Sequence, residues 1–591
     1  MGWAHCSQPI AKVWGKSDAY LAFMCGVLQS CNYSNLGNSR YIKLAKLQCA
    51  NGSRTSLMLS TSALFRLFAI FAFAVATVSA LGPRAGHLTP DNDPFFTPDK
   101  GWKNRKPGDI LRTRSFKAKF FGTGFNVKEA YQILYRTSHN TADEPSYTVT
   151  TVLVPYNAKP DILVVLSEAQ DANGPQCRPS YGYESGSLES LGFVLDEAMF
   201  LPYLNEGYIV TVPDHEGPLD AFAAGRMEGH MTLDSIRATL KFDKLNLSKN
   251  SKVAGYGYSG GALTLGWASS LKRVYAPELN VVGWAFGGTP ANLSSTMDMA
   301  SGTAFAGFVA SGVVGVLDAY PDVKKQVEPY FTAEGHRMVD YSHHHCLNDM
   351  LLKFAFSSIR DKKFSTLGPD IFELSRVKEV FKTLTMGLKA EEYPDAPVFM
   401  YHGRHDEIIP QSSAEKAARS WCKHGAQIKF MTYEDPLMEH LITEITGSIP
   451  AFEFVRDRIN GHHLSGGCEF NSEYSLVFKP DVLGGNTDEV ISAVLDVFGN
   501  KIGPAASILA SKKTIVKSGH ANTTSIASGK GRYHLNSKLI SSAHARTQHS
   551  KQKHSTSTDS YHKTGASSTV SVHSKVSKST HSSSSATHTH T

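Results

Sequence analysis

Acidic side chains are almost missing from the two ends of this chain. After residue 500 there are 13 Lys or Arg and a single acid, Asp559. Before Met58 there are six basic residues and one acid. The formal charge of +7 over 591 residues is therefore unevenly spread: the ends carry +12 and +5, and residues 58–500 carry −10. An acidic body excludes the basic groove that nucleic-acid binding requires. Cysteine is also scarce. Of eight, Cys6, Cys25, Cys31 and Cys49 precede residue 58, while Cys177, Cys346, Cys422 and Cys468 are spread through the body. None stands in a CxxC or Cys/His ligand spacing, so cysteine-based metal sites find no support. Four scattered cysteines in an exported body suggest two disulfides, for which three pairings exist. The chain closes without an apolar stretch, which argues against a lipid anchor.

An apolar run does occur early. "MLSTSALFRLFAIFAFAVATVSALG" starts at Met58, with Arg66 near its start, apolar residues from Leu67 to Val78, and the small-residue triplet Val78-Ser79-Ala80. This pattern predicts a secretory signal over 58–80, cleaved after Ala80. Residues 1–57 then read as an extension upstream of a natural start at Met58. The rival is an uncleaved signal anchor, for which an apolar run of about 18 residues is marginal. Residues 501–591 are dominated by Ser, Thr, His, Lys and Gly and hold ten of the 25 histidines. Such a composition has little to bury and predicts a disordered, secreted tail, a solvated stalk or a cell-wall contact. Asn246, Asn292 and Asn522 begin N-x-S/T sequons and are candidate glycan sites.

Residues 81–500 carry the fold. Short apolar runs at 148–155, 161–168, 207–214, 252–257, 280–288, 397–403 and 427–434 are bounded by turn residues. They are continuous rather than alternating, as expected of strands covered on both faces. Helix-period segments such as 232–241 and 439–458 lie between them. The alternation predicts an α/β class fold with a mostly parallel, doubly wound sheet. Over 289–389 the strand signal fades into Ala/Gly/Phe/Val-rich and then amphipathic sequence, which predicts a helical insertion over the sheet. Its apolar part ("GTAFAGFVASGVVGVLDAYP") reads equally as the cover of an apolar tunnel or as ordinary helix core.

The candidate chemistry starts at "VAGYGYSGGALTLGW", Val253 to Trp267. Gly257, Ser259 and Gly261 form Gly-x-Ser-x-Gly, a weak motif alone. Here it follows a strand and enters a helix-compatible run, the setting of a nucleophile elbow, with the Gly260 N–H aimed at the carbonyl under attack. A serine nucleophile needs a base and an orienting acid, in this setting in the order Ser, Asp, His on loops after strands. Asp406 lies on "GRHDEIIP" after the 397–403 strand; His440 lies on "EDPLMEHLITE" after the next one. Asp435 is the rival acid, but it stands five residues before His440 and suits a turn cap. His402 and His405 flank Asp406 and also read as plain loop residues. The clusters His343–His345 and His462–His463 lack carboxylate or Cys partners at ligand spacing, so no metal and no organic cofactor are expected.

These residues resemble the fungal secretory lipase family, the Candida lipase A-like enzymes of the α/β-hydrolases. The resemblance runs over roughly 94–498 through "ILYRTSHN", "AQDANGPQCRPSY", "GYGYSGGA", "FGGTPANL", "YHGRHDEIIP", "WCKHGAQI", "EHLITE" and "DRINGHHLSGGC". It implies the α/β-hydrolase fold with a helical lid and a C-terminal flap. It implies the triad Ser259, Asp406 and His440, and an oxyanion hole built from the backbone N–H groups of Asp171 and Gly260. It also implies the pairings Cys177–Cys346 and Cys422–Cys468. The expected activity is hydrolysis of acylglycerol esters at a lipid–water interface by a secreted, monomeric enzyme without a stable membrane span. An acyltransferase or short-chain carboxylesterase with the same triad, and a non-catalytic surface protein, are the alternatives.

Overall fold

The computed structural model describes residues 87–120, 123–186, 191–464, 466–474 and 501–504. The segment 1–57, the signal expected at 58–80, the candidate glycan site Asn522 and the tail beyond 504 lie outside the described residues.

Among the described residues twelve strands follow in chain order: β1 (Ile110–Ser115), β2 (Lys119–Phe120), β3 (Thr123–Gly124), β4 (Glu129–Ser138), β5 (Pro145–Val154), β6 (Ile162–Ser167), β7 (Ile209–Pro213), β8 (Lys252–Tyr258), β9 (Val281–Gly287), β10 (Val398–Gly403), β11 (Ile428–Tyr433) and β12 (Glu469–Glu473). Ten of them form one sheet in the order β1-β4-β5-β7-β6-β8-β9-β10-β11-β12, and β2 and β3 make a separate hairpin. From β7 through β6 to β12 the neighbours run parallel. The β1, β4 and β5 end is antiparallel. This is the α/β-hydrolase sheet. All seven expected strands are present; β1, β4, β12 and the small hairpin are additional.

The continuous apolar runs follow from cover on both faces. Leu163, Val165, Val398 and Met400 point into one core with Met231, Trp267 and Trp421. Their neighbours Val164, Leu166, Phe399 and Tyr401 point into the other, with Leu201, Phe454 and Val455. A strand turns alternate residues to opposite faces, so both sets must be apolar. Helices Gly225–Leu240 and Gly260–Tyr275 pack on the first face; Leu191–Asn205 and His440–Ile459 cover the second.

Between β9 and β10 the regular elements are helices joined by loops, with one isolated bridge, Phe331 to Ser365. These helices have a core of their own, with Met297, Val309, Val314, Met338, Met350 and Phe354. Cys177 is bonded to Cys346 across 169 residues, tying the segment after β6 to this insertion. Cys422 is bonded to Cys468, at the end of helix Gln411–Lys423 and just ahead of β12. Among the described residues no helix is long and apolar enough to cross a membrane.

Candidate active site

Ser259 stands between β8 and helix Gly260–Tyr275, with φ 52° and ψ −116°. A side chain other than glycine rarely holds positive φ, and such strain persists only where the surroundings enforce it. Here they do. The Ser259 N–H donates to the Gly287 carbonyl at the end of β9 (3.1 Å). The turn is so tight that a Cβ on Gly261 would run into the Ser167 carbonyl of β6, and one on Gly257 would meet the Gly261 backbone at 2.8 Å. Backbone cannot move aside as a flexible side chain can. Gly261→Ala is therefore expected to destabilise the fold by about 3 kcal/mol, read as a lowered Tm and lost secreted yield; an unchanged Tm would contradict this packing.

His440 is the first residue of helix His440–Ile459 and is buried at four anchor points. Its backbone N–H donates to Glu407 Oε2 (2.8 Å). Its carbonyl accepts from the Tyr258 hydroxyl (2.8 Å). Its Nδ1 lies 2.7 Å from Asp406 Oδ2, and its Nε2 lies 2.9 Å from Ser259 Oγ. A carboxylate can only accept, so Nδ1 carries the proton and Nε2 offers its lone pair to the serine hydroxyl. Three residues 181 and 34 positions apart thus form one hydrogen-bond chain.

Asp406 is held just as firmly. Its Oδ1 accepts the N–H groups of Ile408 (3.0 Å) and Ile409 (2.8 Å). Its Oδ2 accepts from His440, and His402 Nε2 lies 3.1 Å away. His402 is not a loop residue: it is on β10, fully buried, and the same Nε2 also faces the Ile409 carbonyl at 3.1 Å. Two acceptors before it require Nε2–H. Burial works against ionising Asp406, but the His440 charge and the hydrogen bonds from His402 and His440 override it and hold the carboxyl well below the usual carboxylate range. Burial likewise opposes the His440 cation; Asp406, then Glu407 and Asp171, outweigh it and raise the imidazole above its ordinary value.

The other candidates fall elsewhere. Asp435 accepts from the Leu437 N–H (2.9 Å) and is a turn cap. His405 is exposed. His343 pairs with Asp318 (2.7 Å), and His344 and His345 bond carbonyls one turn back. His462 lies on exposed Asp457. Asn246 is exposed in a left-handed turn, while Asn292 caps helix Leu293–Ala300 through Ser295 N (3.1 Å). Asp171 and Gly260 flank Ser259 at one cavity of about 620 Å³ including its mouth. The rest of its wall is almost wholly apolar, with Phe222, Leu293, Met297, Val309 and Val313 among its residues.

Sequence reasoning passed over several residues of this site. Tyr258 lies inside the elbow motif and Glu407 directly follows Asp406, so adjacency was the available signal. Glu168, Asp196, Glu216, Glu228 and Glu444 form a buried acidic surround that left no trace, because Asp and Glu ordinarily read as surface.

A family model described as Secretory lipase matches residues 184–467. A secreted triacylglycerol lipase of Malassezia furfur is 53% identical over 465 residues, covering 78% of this chain and 95% of that protein. A secreted triacylglycerol lipase of Malassezia globosa is 41% identical, covering 74% of this chain and 96% of its own length. Among solved structures, Candida antarctica lipase A in its closed state matches with a TM-score of 0.61 and 29% identity, over 71% of this chain and all of that one.

Proposed function

The chain belongs to the secretory lipase family, and on that premise we propose that it is a secreted lipase cleaving triacylglycerol esters through an acyl-enzyme on Ser259. Its relatives are secreted triacylglycerol lipases. The single observation that carries the mechanism is the unbroken chain Ser259–His440–Asp406 opening onto an apolar cavity.

As an acyl ester enters, His440 Nε2 takes the Ser259 proton while Oγ bonds to the carbonyl carbon. Asp406 keeps the imidazole in its Nδ1–H form and stabilises the cation that results. The carbonyl oxygen becomes an oxyanion beside the N–H groups of Asp171 and Gly260. Gly260 begins a 16-residue helix, whose positive end favours negative charge there. The C–O bond to glycerol then breaks, and His440 returns the proton to the leaving oxygen. Water, deprotonated by His440, releases the fatty acid. The cavity takes the acyl chain, and the helices of 289–389 act as the lid above it. Residues 58–80 serve as the export signal, and the enzyme works as a monomer.

The test is a pH-stat assay of the secreted protein on emulsified trioleoylglycerol and tributyrin, with p-nitrophenyl esters from acetate to palmitate. Long-chain triacylglycerol hydrolysis is the expected outcome. A sharp preference for acetate would replace this reading with a short-chain esterase.

A further inference from the structure

Large apolar side chains are exposed in only a few places, and three of them lie on neighbouring segments of the 289–389 insertion. Leu352 is 81% exposed, Phe356 59% and Met299 38%. Leu352 is on helix Leu347–Phe354, and Phe356 is two residues beyond its end. Met299 is on helix Leu293–Ala300. Two backbone bonds hold these segments together: the Phe356 N–H donates to the Thr303 carbonyl (2.7 Å), and the Gly302 N–H to the Ser357 carbonyl (3.0 Å). Phe356 holds φ 62°, a left-handed backbone that a bulky residue adopts only under constraint. Phe354, two residues earlier, is buried in the insertion's core. The backbone thus presents one aromatic to the outside while the core takes the other.

Charge follows the same surface. The segment 352–363 carries Lys353, Arg360, Lys362 and Lys363 against one acid, Asp361, although residues 58–500 as a whole carry −10. Two of the four cations are answered by carboxylates. Arg360 pairs with Asp298 (2.6 Å), and Lys363 lies 3.9 Å from Glu334, which also pairs with Arg337. Lys353 and Lys362 are exposed, and among the described residues neither forms an ion pair; Lys353 lies over the Tyr341 ring at 5.2 Å. The neighbouring helices reach the active site. Thr296 and Met297 of helix Leu293–Ala300, and Phe308 and Val309 of helix Ala306–Ala319, line the cavity beside Ser259. Thr303, which anchors Phe356, lies between these two helices. One short helix therefore carries both cavity wall, at Met297, and part of the exposed patch, at Met299.

We propose that Leu352, Phe356 and Met299 enter a lipid surface, and that Lys353 and Lys362 hold the carboxylates of fatty acid released there. This rests on the lipase reading, since ester hydrolysis is what places fatty-acid carboxylates on a triacylglycerol surface. Apolar side chains gain by leaving water for the acyl layer, and lysines beside them gain by meeting negative charge at its boundary. A lysine stem lies along acyl chains while its ammonium stays at that boundary. An acidic body is repelled by a surface covered in fatty acid, so a local basic patch sets which face approaches. Pairing the patch with itself in a second copy would bring like charges together, which disfavours that occupant. Docking here places the helices that wall the cavity against the lipid from which the substrate comes.

Leu352→Gln combined with Phe356→Asn tests the apolar part, and Lys353→Gln combined with Lys362→Gln the charged part. Asn tolerates the left-handed backbone better than most residues, so position 356 gains no strain. The readouts, on the full secreted protein, are flotation with phosphatidylcholine vesicles with and without ionised oleate, hydrolysis of emulsified trioleoylglycerol, and hydrolysis of dissolved p-nitrophenyl butyrate. The wild type should bind oleate-bearing vesicles more tightly than plain ones. The apolar double variant should lose vesicle binding and emulsion rate by roughly tenfold or more, with hydrolysis of the dissolved ester unchanged. The lysine double variant should bind plain vesicles as the wild type does and lose roughly tenfold of its binding to oleate-bearing ones. Wild-type vesicle binding in the apolar variant would overturn the assignment, as would equal wild-type binding to the two kinds of vesicle. An equal loss on the dissolved ester would overturn it too, because the substitutions would then act on the catalytic site. A wild-type dimer dispersed by the apolar substitutions would give the patch to a second copy instead. Failure of the wild type to hydrolyse either ester would sink the lipase reading, while flotation would still test the surface.

Discussion

Replacing Ser259 with alanine is expected to lower kcat by roughly 10⁵- to 10⁶-fold on any ester, while leaving the protein folded. The structure separates the two consequences. The hydroxyl makes one described hydrogen bond, to His440 Nε2 at 2.9 Å. Its loss should cost about 1 kcal/mol of stability. The backbone strain at φ 52° is the same for alanine as for serine, so it contributes nothing to the difference. Catalysis has no second nucleophile to fall back on: the remaining site polarises a carbonyl and presents a base to water, which supports only a small residual rate. Active-site labelling, kcat and Tm measured on one preparation check all of this. A variant that retains more than about a hundredth of wild-type kcat would remove Ser259 from the mechanism.

The parts of the molecule that could be read from the chain are those where one physical demand dominates. The strands covered on both faces had to be apolar throughout, so their runs stood out. β1, "ILRTRS", and β12, "EFNSE", are edge strands with exposed or half-exposed side chains and carry no such run. β4 is almost wholly buried yet mixes Gln132, Arg136, Thr137 and Ser138 into its sequence. Two of these polar groups are satisfied from a distance: Gln132 donates to the Ser180 carbonyl at 2.8 Å, and Thr137 to Asp234 at 2.7 Å. Only tertiary structure supplies such partners, so neither periodicity nor hydropathy exposes the strand. The site divides in the same way. The elbow is a local event of five residues and was legible. Asp406 and His440 followed from order and strand placement. The acidic surroundings of Asp171 could not be read, because Asp196, Glu216, Glu228 and Glu444 are gathered by the fold from four separate segments.

Asp406→Asn should lower kcat by roughly 10⁴-fold with little change in KM, and the reason lies in which oxygen does what. Oδ1 accepts two backbone N–H groups, from Ile408 and Ile409. An amide can satisfy them only with its oxygen, so its NH₂ must occupy the Oδ2 position. That places a donor 2.7 Å from His440 Nδ1. The imidazole must then present a lone pair at Nδ1 and carry its proton at Nε2, where it faces the serine hydroxyl and cannot accept from it. His402 escapes the same conflict by donating to the Ile409 carbonyl, 3.1 Å from its Nε2. The cost is therefore confined to the tautomer of His440, and the geometry of the site survives. Substrate binding, which relies on the apolar cavity, is untouched, so the loss appears in kcat. Rising pH does not restore the base, because the imidazole is already neutral and Nε2–H is its last proton, so the loss should persist across the pH range in which the enzyme is folded. A crystal structure of the variant with the amide nitrogen toward Ile408 and Ile409, or a kcat within about tenfold of wild type at neutral pH, would show that Asp406 does not set the imidazole's proton.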